Sequence, residues 1–241
     1  MKDLKIIAHR GASFYAPENT LASVKIAWLQ NADAVEVDIH LSADKKIMVI
    51  HDKSTKRTTG VDYKIASSFS DKLRLLDAGS WKGEAFKGEK IPLLKEVLET
   101  IPTGKKLIIE IKSSKEIVPY LKEEVEKAGK VSQCEIISFD FGVLAEAKKA
   151  LPGTPAFFLL SKLTSADLME LWKKLQKHNI DGLNLHFSII SQELAAFCKQ
   201  NHIPLYSWTI DDAEVAKKLI GMGVVGITTN KPLEMREGLL K

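Results

Sequence analysis

The sequence predicts an α/β fold, a single (β/α)8 barrel, and three observations predict it. Short apolar runs rich in β-branched residues recur along the chain. Each is followed by a segment whose apolar residues have helical spacing, an alternation that belongs to parallel βα units rather than to sandwiches or bundles. The length of 241 residues suits one such barrel, which typically closes at about 250 residues. One domain spanning 1–241 is the expectation.

The eight strands are expected at 4–7, 34–41, 107–111, 135–138, 156–160, 182–185, 204–208 and 226–228. Helical spacing appears at 20–30, 93–100, 116–128, 143–150, 166–178, 192–200 and 213–222, and a short helix closes the chain. Asp212 and Ser165 precede two of these segments and are read as N-caps, since their side-chain oxygens can accept from first-turn amides that otherwise lack partners. Gly129, Gly153, Gly221 and Gly223 suit helix exits. Residues 47–51 read as extended. The stretch from about 53 to 90, rich in Ser, Thr, Gly and charge, is too long for an ordinary βα loop and is read as a small insertion after the second strand, lying over one end of the barrel.

Composition excludes several classes. Hydrophobic residues at 45% and charged residues at 27% leave no case for disorder. The formal charge is only +4 and the basic residues are scattered, so no nucleic-acid footprint is expected. Cys134 and Cys198 have no metal-ligand spacing and read as reduced, partly buried thiols. The chain reaches His9 and Arg10 before any run long enough for a signal peptide, and no stretch approaches the roughly 18 apolar residues that span a bilayer. A cytoplasmic protein without integral membrane association is expected; no oligomeric state is specified.

Active sites of such barrels form at the carboxyl ends of the strands, so polar residues there carry the most information. His9 and Arg10 follow the first strand. Glu36 and Asp38 lie in the second, His51 and Asp52 end the next extended segment, and Glu110 and Lys112 end the third strand. Side chains alternate across a strand, so Glu36 and Asp38 face the same way, and Glu110 and Lys112 repeat the device. Three carboxylates in one barrel repel unless something neutralises them, and a hard divalent cation does so. Oxygen ligands favour magnesium, calcium or manganese. Arg10 and Lys112 supply the positive charge that an anionic phosphodiester requires, and His9 and His51 can move protons near neutral pH.

With these residues assembled, the chain resembles the glycerophosphodiester phosphodiesterase family. The resemblance rests on His9-Arg10-Gly11-Ala12-Ser13, Pro17-Glu18-Asn19-Thr20, Glu36-Val37-Asp38, His51-Asp52, Glu110-Ile111-Lys112, Ser138-Phe139, Trp208-Thr209 and the closing run from Gly226 to Pro232. It implies a TIM barrel with a small insertion after the second strand. It places metal ligands on Glu36, Asp38 and Glu110, acid/base histidines on His9 and His51, and phosphate contacts on Arg10 and Lys112. It implies a small-molecule glycerophosphodiester substrate, with glycerol 3-phosphate and an alcohol as products. Trp208 is read either as core or as an apolar wall for the substrate. Three residues depart from the family pattern: Asn31 stands where glycine is usual, Asn230 where an aspartate is common, and Asp211 where an asparagine often follows the Trp-Thr pair.

A lone histidine is usually structural, and His40, His178, His186 and His202 are read that way, with His186 at a strand end the one that can face the site. Two competing functions keep the same residues. One is a lysophospholipase D or sphingomyelinase D-like reaction on an acylated diester; the other is a noncatalytic barrel that captures phosphate esters.

Overall fold

The computed structural model describes residues 4–163 and 167–241. Its strands are β1 (Lys5–His9), β2 (Ala34–Leu41), β3 (Ile47–Val49), β4 (Lys106–Ile111), β5 (Cys134–Ser138), β6 (Ala156–Leu160), β7 (Gly182–His186), β8 (Leu205–Trp208) and β9 (Gly226–Thr229). They pair in the order β1-β9-β8-β7-β6-β5-β4-β2-β3, and β1 also pairs with β2, so eight parallel strands close on themselves. The ninth, β3, runs antiparallel to β2 on the outside of the ring, with Ile39 opposite Val49 and Leu41 opposite Ile47. Every predicted strand is present, most with an end shifted by a residue or so. The direction of β3 was not expected from the sequence.

The long helices are α1 (Leu21–Leu29), α4 (Leu94–Glu99), α5 (Val118–Lys127), α6 (Phe141–Ala150), α7 (Leu168–Lys177), α8 (Gln192–Gln200), α9 (Ala213–Gly221) and α10 (Pro232–Leu240); α2 (Lys56–Thr59) and α3 (Ser70–Arg74) lie in the segment between β3 and α4. Their starts are specified locally. Asp212 caps α9 by accepting from the amides of Glu214 and Val215, and Thr20 and Ser23 cap α1 reciprocally. The predicted cap Ser165 lies outside the described residues. Gly129 and Gly223 leave α5 and α9 with positive φ, 65° and 106°, as helix exits require.

β2 is buried at all eight positions, which is the mark of a strand covered on both faces. Its odd-phase residues Val35, Val37, Ile39 and Leu41 join the outer core between sheet and helices. The barrel interior holds a separate apolar cluster of Ile7, Ala34, Ile108, Ile137, Phe157, Leu159 and Tyr206. Phe157 and Tyr206 stack with ring centroids 4.2 Å apart. They fit because Gly182 and Gly226 stand beside them: a Cβ on Gly226 would lie 2.5 Å from the Tyr206 ring. Below these rings, at the amino-terminal end, Lys5 pairs with Glu135 and donates to Tyr206 at 2.6 Å, which closes the barrel floor with a small polar plug.

Residues 53–90 contain α2, α3 and two single turns of 3-10 helix, at Ile65–Ser67 and Glu84–Phe86. Met48, Ile50, Ile65, Leu73, Ala78 and Ile91 give this region a small core of its own beside β3. Asp44 ties it down by accepting from the Ser70 amide and hydroxyl. Cys134 and Cys198 are buried free thiols, and burial pushes them up to about 12 and about 11 respectively. No helix among the described residues is long and apolar enough to cross a membrane.

Candidate active site

The carboxyl ends of the strands converge on a cavity of about 300 Å³ lined by His9, Arg10, Glu36, His51, Glu110, Lys112, Ile137, Phe139, Leu159, Asn184, Trp208, Thr209 and Thr228. Register explains the convergence. His9 pairs with Glu36 across β1 and β2, and Asp38 pairs with Glu110 across β2 and β4, so alternate positions of three adjacent strands present one polar surface. His51 arrives from outside the eightfold repeat. The β2–β3 hairpin turns the chain back, and the Ile50 amide donates to the Asp38 carbonyl at 3.0 Å, which returns the next residue, His51, to the level of the acids.

Oxygens of Glu36, Asp38 and Glu110 lie within 4.8 Å of one another, and the three residues are 3%, 1% and 8% exposed. One oxygen of each, Glu36 Oε1, Asp38 Oδ1 and Glu110 Oε1, is buried without a hydrogen bond. Lys112 Nζ forms ion pairs with Glu110 Oε1 at 2.7 Å and with Asp38 Oδ1 at 3.4 Å. Burial and the neighbouring carboxylates hold Glu36 well above the usual carboxylate range and push Glu110 up to about 7. Burial also acts to raise Asp38, but the charges of Arg10 and Lys112 outweigh it and hold that carboxyl low. Two cations therefore do not fully compensate three acids. An all-oxygen set of three buried, closely spaced carboxylates with incomplete charge compensation fits a hard divalent cation, and this triad can hold one.

The surrounding groups fix these side chains. Arg10 takes a left-handed backbone, φ 55°, followed by Gly11 at 80°, where a Cβ would collide with Ser23 at 2.5 Å. That turn aims the Arg10 amide at Glu36 Oε2, 2.9 Å away, while its guanidinium meets Glu18 at 2.9 Å and Asp38 at 3.3 Å. Asn19, also left-handed at φ 55°, clamps Asp38 from both sides: its amide donates to Oδ2 and its carbonyl accepts from the Asp38 amide. Arg57 reaches in from α2 to bind Glu18 and Asp52.

The two cavity histidines are tethered differently. His51 Nδ1 donates to Asp52 Oδ1 at 2.7 Å, and the Arg57 and His51 hydrogen bonds outweigh the effect of burial to hold Asp52 down to about 2. His9 Nδ1 donates to the side-chain carbonyl of Asn230 at 2.8 Å. The orientation of that amide is set by Asp211, which accepts from Asn230 Nδ2 at 2.7 Å, so the carbonyl must face His9 and the imidazole must keep its proton on Nδ1. Burial, then the Arg10 charge, push His9 down to about 4. The two departures from the family pattern noted above, Asp211 and Asn230, are therefore one feature: they bond to each other.

A model of the glycerophosphoryl diester phosphodiesterase family matches residues 9–234. The chain belongs to this family. A glycerophosphodiester phosphodiesterase of Caldanaerobacter subterraneus is 37% identical over 96% of each chain. Among solved structures, a phosphodiesterase of Oleispira antarctica in complex with the product sn-glycerol-3-phosphate aligns at a TM-score of 0.86 with 31% identity, covering 98% of this chain and 97% of that one. A glycerophosphodiester phosphodiesterase of Thermotoga maritima aligns at 0.83 with 26% identity, covering 97% of both chains. As a member of the glycerophosphoryl diester phosphodiesterase family, the protein is an enzyme of the phosphoric diester hydrolase class, and its fold is the TIM barrel of its relatives.

All eight residues singled out in the sequence come together here: Glu36, Asp38 and Glu110 as the acidic cluster, and His9, His51, Arg10, Lys112 and Trp208 around the same cavity or, for Arg10 and Lys112, against the acids. Trp208 is half-buried and lines the cavity, with its indole donating to the Asn184 carbonyl at 3.2 Å. His186 stacks edge-on against Trp208 at 5.1 Å and bonds to Ser188, and it is not part of the cavity lining. Asn19, Glu18, Arg57 and Asn184 were not assigned roles from the sequence. Glu18 and Asn19 lie within a quoted motif, and Asn184 has the inward phase between Leu183 and Leu185, so an alternation count was the available signal.

Proposed function

We propose that the protein, acting as one catalytic domain with residues 53–90 as a cap, hydrolyses glycerophosphodiesters to glycerol 3-phosphate and an alcohol. The observation that carries this reading is the cluster of three buried carboxylates, faced by two cations and two imidazoles around one cavity. Glu36, Asp38 and Glu110 would hold a divalent ion, magnesium or calcium in the first instance and manganese as an alternative of the same hardness. When bound, such an ion makes a nearby hydroxyl more acidic and offsets charge on the phosphoryl oxygens.

The chain's own groups do the rest. Arg10 and Lys112 hold the anionic phosphate and oppose the extra charge of its transition state. His9, neutral and with its proton fixed on Nδ1, offers Nε2 as the acceptor for the proton of the attacking hydroxyl or water. His51, its ring held by the Asp52 carboxylate, is placed to hand a proton to the departing alkoxide. A cavity of about 300 Å³ accommodates a free glyceryl group better than an acylated one, which favours water-soluble diesters over lysophospholipids; a cytoplasmic location agrees with such substrates.

Purified protein given glycerophosphocholine with magnesium or calcium should release glycerol 3-phosphate, and a chelator should stop it. His9→Ala and His51→Ala should each lower kcat by about 10²- to 10⁴-fold. Turnover that persists without metal, or no turnover of any diester, defeats the proposal. Faster hydrolysis of an acylated diester would move the assignment to the lysophospholipase D reading, and binding of phosphate esters unaffected by His51→Ala would move it to a noncatalytic barrel.

A further inference from the structure

The charged groups of the cavity all come from β1, β2, β4 and the β3 hairpin. The opposite wall, from β5 to β8, is made of Ile137, Phe139, Leu159, Trp208 and Thr209, largely apolar and without a charged group. Asn184 stands among them on β7, 2% exposed, and its side-chain oxygen has no hydrogen-bond partner. A buried amide oxygen left idle is costly, and such groups in native structures are nearly always satisfied by protein, water or ligand. Nothing in the proton transfers proposed above uses it.

Its depth in the barrel says what it faces. Asn184 is in register with Leu159 on one side and Tyr206 on the other, whereas Trp208 is in register with His186, one layer nearer the mouth. Phe139, 45% exposed, marks the rim. With phosphate held on the charged side, the part of the substrate that fills the deep, largely apolar pocket is the part every substrate shares, and the variable alcohol lies toward the open rim. The Trp208 indole bond to the Asn184 carbonyl fixes this backbone, so the amide is presented from a rigid strand.

Resting on the functional reading above, we infer that Asn184 is a specificity-determining residue: its side-chain oxygen accepts a hydrogen bond from the terminal hydroxyl of the substrate's glyceryl group, the one farthest from the phosphate. The wall then combines apolar surface for the glyceryl carbons with one neutral acceptor for a hydroxyl, which selects a polyol ester over an alkyl ester of the same size.

The test compares glycerophosphocholine with the analogue in which propane-1,2-diol replaces glycerol, so that the middle hydroxyl is kept and the terminal one is removed, in the wild type and in Asn184→Leu. The wild type should prefer the glyceryl substrate by about 10- to 100-fold in kcat/KM, and Asn184→Leu should lose most of that preference by slowing on the glyceryl substrate alone. Direct binding gives a second readout that needs no turnover: Asn184→Leu should weaken glycerol 3-phosphate by a similar factor and leave inorganic phosphate within about twofold. Asn184→Ser, smaller and still polar, serves if the leucine variant fails to fold. Equal losses on both substrates, or none on either, overturn the inference even when wild-type turnover of glycerophosphocholine upholds the functional reading. A wild type inert toward every glycerophosphodiester removes that reading instead, and an unchanged glycerol 3-phosphate affinity in the variant then removes this one as well.

Discussion

His9 and His51 differ in the group behind the ring, an amide for one and a carboxylate for the other, and that difference underlies the roles proposed for them. A carboxylate stabilises imidazolium, whereas an amide carbonyl orients the ring and leaves its neutral form in place. Asn230→Asp therefore puts a second carboxylate next to Asp211, across a gap that is now a 2.7 Å hydrogen bond. It should raise His9 from its present value of about 4 and move the acid limb of the kcat/KM profile to higher pH, with a loss of about tenfold or more near neutrality. The double exchange, Asn230→Asp with Asp211→Asn, should restore stability and much of the rate while keeping the displaced limb; a pH–rate series on the three proteins checks this. Glu110 gives a prediction of opposite sign. Its carboxyl, pushed up to about 7, still carries a proton at pH 6 that an incoming cation must displace. Metal affinity should therefore rise with pH through about 7, with Glu36, also held well above the usual range, adding to the rise, and calorimetry in buffers of different ionisation enthalpy should show proton release at the lower pH. Glu36, Asp38 and Glu110 were legible because strand alternation is local. Asn19 and Arg57 were not, since what they hold lies far off in the chain: Asn19 binds Asp38, and Arg57 binds Glu18.

Among the elements, the β2–β3 hairpin separates what pattern can deliver from what it cannot. An extended run at 47–51 was readable, but its antiparallel return depends on pairing with Ile39 and Leu41, and no periodicity within the run encodes that. The segment that follows is similar. Its helices are three to five residues long, shorter than the window in which a helical period shows, so the sequence marked an insertion without its contents. Its attachment is nonetheless specific. Asp44 accepts from Ser42, the Ser70 amide and the Ser70 hydroxyl, and these bonds hold its carboxyl below the usual range. Asp44→Ala should loosen residues 53–90 while leaving the barrel folded. Limited proteolysis should then cut within that segment several times faster than in the parent, with a loss of about 1 kcal/mol in global stability; unchanged cleavage would show that the small apolar core around Ile65 and Leu73 holds it alone.

For the molecule as a whole, closure of eight parallel strands was the most legible feature, since alternation of apolar runs is repeated along the full length of the chain and small errors at strand ends do not alter the count. The polar floor was not legible: Lys5, Glu135 and Tyr206 look like ordinary strand residues until the ring brings them together. Burial, reinforced by the Glu135 charge, pushes the Tyr206 hydroxyl above its ordinary value. Removing one charge strands the other, so Lys5→Met should cost about 3 kcal/mol, whereas Lys5→Met with Glu135→Leu should recover most of it, as chemical denaturation can measure. The position of His51 has a wider meaning. The ring alone carries the three acids, both cations and His9, and the remaining imidazole is delivered by a lateral strap threaded outside it. One of the two cavity imidazoles thus resides on a different piece of backbone from the acids, so the strap is free to be remodelled, or trimmed away, while the ring keeps its charged cluster and His9 in place.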